Sequence, residues 1–309
     1  MKLLFNHNNN GQAELKKILG FLDGDFNYTN IEPDIELNTP YLIDLISIEV
    51  YDKIQALYES PTQEENLNEV SAVKYCQLYV ASMAYLDYAP NNDLSHKNSG
   101  RSHRSEENEK QPWEWQIANS NSATKKRAYK ALDHLFILLD ELAWAEWTSS
   151  DAYKKAHDLF IKNTKQFDDV FPINKSGQLY YRLVTFMDDF ETDFIIPVVT
   201  PTVATALKLT ETPSNEQKAL LSLIKKAIAY MSLAKAMNSF PVEMFAEGMI
   251  YNENTRMKSQ ARAEVMQYLN DEANNYIKKL ENLYAQQNET FTLLETKNGL
   301  TEGKKYVNL

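Results

Sequence analysis

Residues 71–116 read SAVKYCQLYVASMAYLDYA and then PNNDLSHKNSGRSHRSEENEKQPWEWQ, an apolar helix running into a polar ribbon. The same succession returns at residues 219–262 as ALLSLIKKAIAYMSLAKAMNSF followed by PVEMFAEGMIYNENTRMKSQAR. At an offset of 148 residues, Val80 meets Ile228, Ala81 meets Ala229 and Met83 meets Met231; further on, Leu94 meets Val242 and Gly100 meets Gly248. The stretch before each copy agrees in pattern too, with YLIDLISIEVYDKIQALYES (41–60) standing where FETDFIIPVVTPTVATALKL (190–209) stands in the second half. Self-similarity over this length fixes an architecture before any motif does.

Outward from the first copy, the rest reads as helices. Residues 12–22 (QAELKKILGFL) have apolar positions at helical spacing and stop before Gly24. Residues 26–39 with Pro33 read as a turn-rich connection, and Thr39-Pro40 as the N-cap and first residue of a helix whose face is Leu42, Leu45, Ile46, Val50, Ile54 and Leu57. The central helix is expected over Ala72–Ala89, ended by Pro90. Residues 91–116 then form a ribbon turning at Gly100, because nothing in them builds a core. Trp113 and Trp115 share a side of an extended segment or straddle a helix start. Ala123–Trp147 repeats apolar residues at three and four, from Tyr129 to Ala143.

The cycle restarts with helices over Tyr153–Phe167, Gln178–Asp189 and Phe190–Leu209, the last interrupted by Pro197 and Pro201. Glu216–Asn238 then matches the central helix, Phe240–Asn254 the ribbon and Ser259–Gln286 the closing helix. The expectation is a mainly α protein, a tandem duplication in which each half carries a small projecting β-hairpin. The repeats span residues 1–150 and 151–287, and 288–309 form a C-terminal arm.

Composition narrows the functions. Apolar residues make up 43% of the 309, enough for packed cores, and 8 glycines disfavour Gly-rich nucleotide loops. No run approaches the roughly 20 apolar residues of a membrane span, and MKLLFNHNNN is too short in apolar residues for a signal peptide. The single cysteine, Cys76, lies in an apolar helical stripe, which points to packing and a reducing compartment. A net charge of −11 works against nucleic acid binding as the main task.

No phosphate loop, zinc spacing or nucleophile elbow is present, so no catalytic residue, metal ligand or cofactor is expected. His96 and His103 bracket Gly100, but no Cys or carboxylate lies at ligand spacing between them, which favours a solvated loop. Asp188, Asp189, Glu191 and Asp193 would hold Mg²⁺ only if they converged; such a run is more often a solvated face. His134 and His157 read as isolated histidines on apolar helical faces. Together these acids and histidines define the alternative reading, a metal- or ligand-binding helical protein, and a possible enzyme, with its site between the halves.

The ribbon sets Lys97, Arg101 and Arg104 beside Glu106, Glu107 and Glu109. Separate patches of opposite sign suit head-to-tail pairing with an identical neighbour, and Trp113 and Trp115 belong with that subunit interface. Lys125, Lys126 and Arg127 serve the same end or face DNA in a channel.

The order of ELKKILGFL, YLIDLISIEVYDKIQALYES and VKYCQLYVASMAYLDYA resembles the phage head–tail connector (adaptor) proteins, as do the segments from Phe190 and Ala219. The segments RAYKALDHLFILLDELAWAEW and FPINKSGQLYYRL are similar to uncharacterised helical proteins of gut-bacterial phages and prophages. Connectors of this type are normally single-domain, and the fused pair departs from that pattern. The resemblance implies a non-enzymatic virion protein made in the bacterial host cytoplasm. It would assemble as a homo-oligomeric ring beneath the portal protein, next to other neck and tail proteins and around packaged DNA, with no membrane contact.

Overall fold

The computed structural model describes residues 2–60, 67–98, 100–103, 112–240, 242–245, 248–251 and 259–288. These are mainly helical, with two separate antiparallel two-stranded ribbons. The chain divides into two compact units, Met1–Val184 and Thr185–Leu309.

The first unit opens on α1 (Gly11–Leu19), ended by Gly20 in the left-handed conformation, φ 75°. Next comes α2 (Tyr28–Ile46), where a turn-rich connection and a helix starting at Pro40 were expected. Asn27 caps it by accepting from the Thr29 N–H at 3.1 Å, and both Pro33 and Pro40 lie inside. An interior proline costs about 3 kcal/mol of helix preference. The stripe Ile31, Ile35, Leu42 and Ile46, all fully buried, outweighs it. Ser47, with φ 76° and ψ 158°, ends α2, and α3 (Ile48–Glu59) follows directly. The expected single helix is therefore two.

The central helix α4 (Leu67–Asn92) runs past Pro90, which sits in its last turn. It packs against α1, α2 and α3 and, most extensively, against α5. Strands β1 (Leu94–Lys97) and β2 (Gly100–His103) form the first ribbon, with Lys97 opposite Gly100 and His96 opposite Arg101. Gly100 takes φ 120°, a conformation side chains resist, and so begins the return strand. Helix α5 (Glu114–Leu142) starts before the expected Ala123 and stops earlier, because Ala143 turns left-handed at φ 45°. Trp113 is its N-cap residue. Trp144 and Trp147 thus leave α5 and frame α6 (Ala145–Thr148). Lys53 of α3 holds that turn, lying 4.8 Å over the Trp144 ring and 2.9 Å from the Glu146 carboxylate.

Residues 151–184, expected in the second repeat, belong to the first compact unit. They form α7 (Asp151–His157), α8 (Thr164–Val170) and most of α9 (Gly177–Phe190), so the expected helix 153–167 is split. The reason is packing on α5. Asp133 accepts from the Ser176 hydroxyl at 2.9 Å and the Gln178 N–H at 3.0 Å. Gly177 lies so close to the Phe136 Cβ that an added methyl would sit 2.7 Å from it. Tyr181 stacks on Phe136 at 4.5 Å.

The second unit continues α9 into a π-helical turn (Glu191–Ile195), then α10 (Ile196–Val199) and α11 (Pro201–Leu209). Thr200 between them has φ 69° and ψ 150°, nearly the conformation of Ser47. Helix α12 (Asn215–Ser239) opens on a capping box, Ser214 with Gln217. Strands β3 (Val242–Phe245) and β4 (Gly248–Tyr251) and then α13 (Ser259–Asn288) complete it, and α12 packs on α13 as α4 does on α5.

The duplication is therefore structural. Both ribbons start at the offset of 148 residues, Leu94 against Val242 and Gly100 against Gly248. Burial follows the same offset along the central helices: Ala72, Cys76, Val80, Ala81 and Ala84 are buried, as are Leu220, Ile224, Ile228, Ala229 and Ser232. Upstream, the shared helix break puts Ser47 against Thr200, so Tyr41 matches Phe194 rather than Phe190. The register shifts by five because α11 is three residues shorter than α3 and the link from α11 to α12 is two residues shorter than that from α3 to α4. Among the described residues no single helix is long and apolar enough to cross a membrane.

Candidate functional site

The acidic run of the second unit does not converge. Glu191 turns inward from the π-helical turn, 1% exposed, and its carboxylate lies 2.6 Å from the Lys208 ammonium of α11. Asp188, Asp189 and Asp193 stay at the surface. Among the described residues no group of three His, Cys, Asp or Glu side chains is placed to hold a metal ion. The π-helical turn that begins at Glu191 sets its carboxylate apart from the neighbouring acids.

The two helix histidines differ in burial, His157 being half-buried at the edge of the core. His134 is exposed and stacks on Tyr75 of α4, ring centroids 5.5 Å apart. His157 stacks on Tyr153 at 3.6 Å, and its Nδ1 lies 3.0 Å from the Tyr153 carbonyl. Cys76 is fully buried and burial pushes its thiol well up, which suits packing and not nucleophilic chemistry. In the first ribbon, His96 and His103 pair with Arg101 and Leu94 rather than with each other.

A half-buried carboxylate that the sequence reading passed over sits near His157. Asp140 of α5 accepts from the Trp147 indole N–H at 2.9 Å and from the Tyr181 hydroxyl at 3.2 Å. Burial raises its pKa, while those two donors and the charge of His157 oppose the rise. A carboxyl raised by folding gives its full stabilisation below its ordinary pKa, and that stabilisation is lost as pH rises through the raised one. Asp140→Asn keeps an acceptor for both donors and is expected to abolish this loss. Urea midpoints of both proteins between about pH 4 and pH 7 check it. The signal was an acid one turn after Phe136, on the face that carries Leu132, Leu135 and Leu139.

The predicted interface residues fall into two groups. Lys97 and Arg101 are exposed on the first ribbon, and Trp113 and Trp115 are 71% and 62% exposed at the start of α5. No residue from 112 to 120 is buried, so this end of α5 stands clear of α4. Arg104, Glu106, Glu107 and Glu109 lie outside the described residues. Lys125 and Lys126 are exposed further along α5. Arg127 has a different task. Its guanidinium donates to the Leu19 carbonyl at 2.5 Å and the Ile18 carbonyl at 2.7 Å, closing the C-terminal end of α1. Arg127→Ala is expected to destabilise the protein by about 2 kcal/mol, read as a shift in urea midpoint, by leaving those carbonyls unmet.

One cavity lies beside the ribbon, between the α1–α2 loop and the end of α4, with a volume of about 290 Å³. Two aromatic pairs form its walls, Phe21 edge-on to Tyr85 at 4.9 Å and Phe26 edge-on to Tyr88 at 5.6 Å. Asp23, Asp25 and Asp93 line it as well. The Gln12 amide donates to the Gly24 carbonyl at 3.1 Å, and the Lys16 ammonium donates to the same oxygen. The loop carrying Asp23 and Asp25 is thereby tied to α1. Sequence reasoning missed this cleft because its walls come from segments some sixty residues apart.

Neither a curated protein nor a solved structure matches the chain. A family of unknown function, DUF6712, matches it twice, over residues 42–157 and 195–303. Both matches begin just before the shared helix break, at Leu42 and Ile195, which hold equivalent places ahead of Ser47 and Thr200. The two stretches take in most of the chain, which therefore belongs to the DUF6712 family and carries two copies of its unit.

Proposed function

We propose that the chain is a non-enzymatic structural subunit of a phage neck, a head–tail connector that assembles as a ring beneath the portal around the DNA channel. The observation that carries this reading is the repeated projecting ribbon. Each unit sends out a two-stranded hairpin between its two longest packed helices, at the same offset. A small ribbon alone adds little to a core. Repeated in the same place, it suits lateral contact between subunits. Trp113 and Trp115, exposed at the start of α5, are residue types that anchor interfaces.

Contact with DNA in such a channel falls to Lys125 and Lys126, which are exposed on α5. With a net charge of −11, that contact is weak and sequence-independent. The test has two arms. Sequencing the DNA that flanks the gene should show portal, capsid and terminase genes as neighbours, and metabolic or regulatory neighbours would overturn the phage assignment. Electron microscopy of the purified full chain at high concentration should show closed rings. A population of monomers alone would remove the ring.

A further inference from the structure

We propose that the acidic, aromatic-walled cleft beside the first ribbon receives the β1–β2 ribbon of a second copy of this chain, with Arg101 entering it and Lys97, on the ribbon's other face, adding positive charge. This rests on the assembly part of the neck-ring reading and gives that assembly a specific contact.

The cleft has the chemistry of a cation receptor. Asp23, Asp25 and Asp93 supply negative charge at its mouth, and the Phe21–Tyr85 and Phe26–Tyr88 pairs supply ring surfaces. A guanidinium or ammonium group between carboxylates and aromatic faces gains from both. At 290 Å³ the space admits a long cationic side chain. The tether from Gln12 and Lys16 to the Gly24 carbonyl holds one acidic wall in place, so little ordering is needed on binding.

The ribbon has the complementary chemistry. Its strands, LSHK and GRSH, contain Lys97 and Arg101 and no acidic residue, and both cations are exposed. The second ribbon, VEMF and GMIY, contains Glu243 and no cation. The cleft is equally particular to the first unit, because α1 and its loop have no counterpart among the described residues of the second. Among the described residues, the cationic ribbon and the acidic cleft both belong to the first unit.

The ribbon of the same chain does not fill the cleft. It leaves from the rim at Asp93, and an extended strand carries Lys97 about 13 Å away. A donor on one surface and a receptor on another make a heterologous contact, which passes from copy to copy and closes into a ring when the rotation allows.

The experiment is a charge swap on the full chain, read by sedimentation velocity and native mass spectrometry at low salt. One variant is Asp23→Lys/Asp25→Lys, the other Lys97→Glu/Arg101→Glu. All four positions are on the surface, and far-UV circular dichroism should report wild-type helix content. The wild-type protein is expected to associate, and to do so less as salt rises. Each variant alone should associate about 10-fold or more weakly, and the equimolar mixture should recover association, since ribbon and cleft are then complementary between the two. A wild-type protein that stays monomeric overturns the proposal. So does a variant that associates like wild type, or a mixture that remains monomeric. Association that obeys the charge swap in open chains keeps this contact and removes the ring. Rings that survive both reversals keep the ring and overturn the contact.

Discussion

Replacing Trp147 with alanine is expected to lower the melting temperature by about 10 °C. Trp147 is fully buried, the largest such side chain among the described residues. Its ring lies against Phe136, Tyr153 and Tyr181, with centroids 5.5 to 6.0 Å apart. Truncating a buried tryptophan costs about 3–5 kcal/mol through lost burial and the cavity left behind. For a unit of this length, 1 kcal/mol shifts the melting temperature by about 2–4 °C. The indole N–H is also one of two donors that hold the half-buried Asp140 carboxylate, so the alanine variant removes one of them. Trp147→Phe separates the contributions: it keeps a ring in the cluster and loses the donor, and should cost about 1–3 kcal/mol. Differential scanning calorimetry checks both. A shift below about 3 °C for the alanine variant would mean that the aromatic cluster closes over the gap.

Lys208→Met carries the second large effect, an expected loss of about 3–5 kcal/mol. Glu191 is 1% exposed, and Lys208, at 2.6 Å, is the cation that faces it. Removing Lys208 takes an ion-pair partner from a carboxylate that is 1% exposed, and the cost lies in weakening the support of that buried charge, not in the value of the pair itself. The double variant Glu191→Leu/Lys208→Met should therefore recover most of the loss, because an apolar pair of similar volume is often neutral or better. Urea unfolding of wild type, both single variants and the double variant forms the cycle. Adding Mg²⁺ to Lys208→Met should not restore its midpoint, since Asp188, Asp189 and Asp193 point outward and cannot join Glu191 around an ion. Restoration by Mg²⁺ would return the acidic run to the metal-binding reading.

Both effects sit at places where the linear order of residues misleads. The run DDFETD looks like one acidic face, yet a π-helical turn begins at Glu191 and swings that one carboxylate inward. The extra residue per turn is invisible to a helical-wheel argument, which assumes one period throughout. Likewise Trp144 and Trp147 extend the apolar spacing of α5 on paper. The left-handed Ala143 redirects them, so Trp147 packs sideways with Tyr153 and Tyr181. Arg127 stands in a basic triplet with Lys125 and Lys126, but the helix turns it toward α1, where two carbonyls take it.

By itself the sequence determined the mainly α class, the duplication, the 148-residue offset of the central helices and the position of both ribbons. Those follow from local periodicity: buried faces at three and four residues, and Gly100 and Gly248 at matched positions in the stretches between long helices. Tertiary structure alone decided the rest. It kept α2 helical through Pro33 and Pro40, because the buried stripe from Ile31 to Ile46 outweighs the helix penalty of each proline. It broke the chain at Ser47 and Thr200, where a positive φ in a residue with a side chain is held by the surrounding packing. It moved residues 151–184 into the first unit, through Asp133, Phe136 and Asp140 on α5. It also made the cleft, since Asp23 and Asp93 become neighbours only when α1 lies along α4. Contacts between residues far apart in sequence depend on how elements pack, and no local pattern records that.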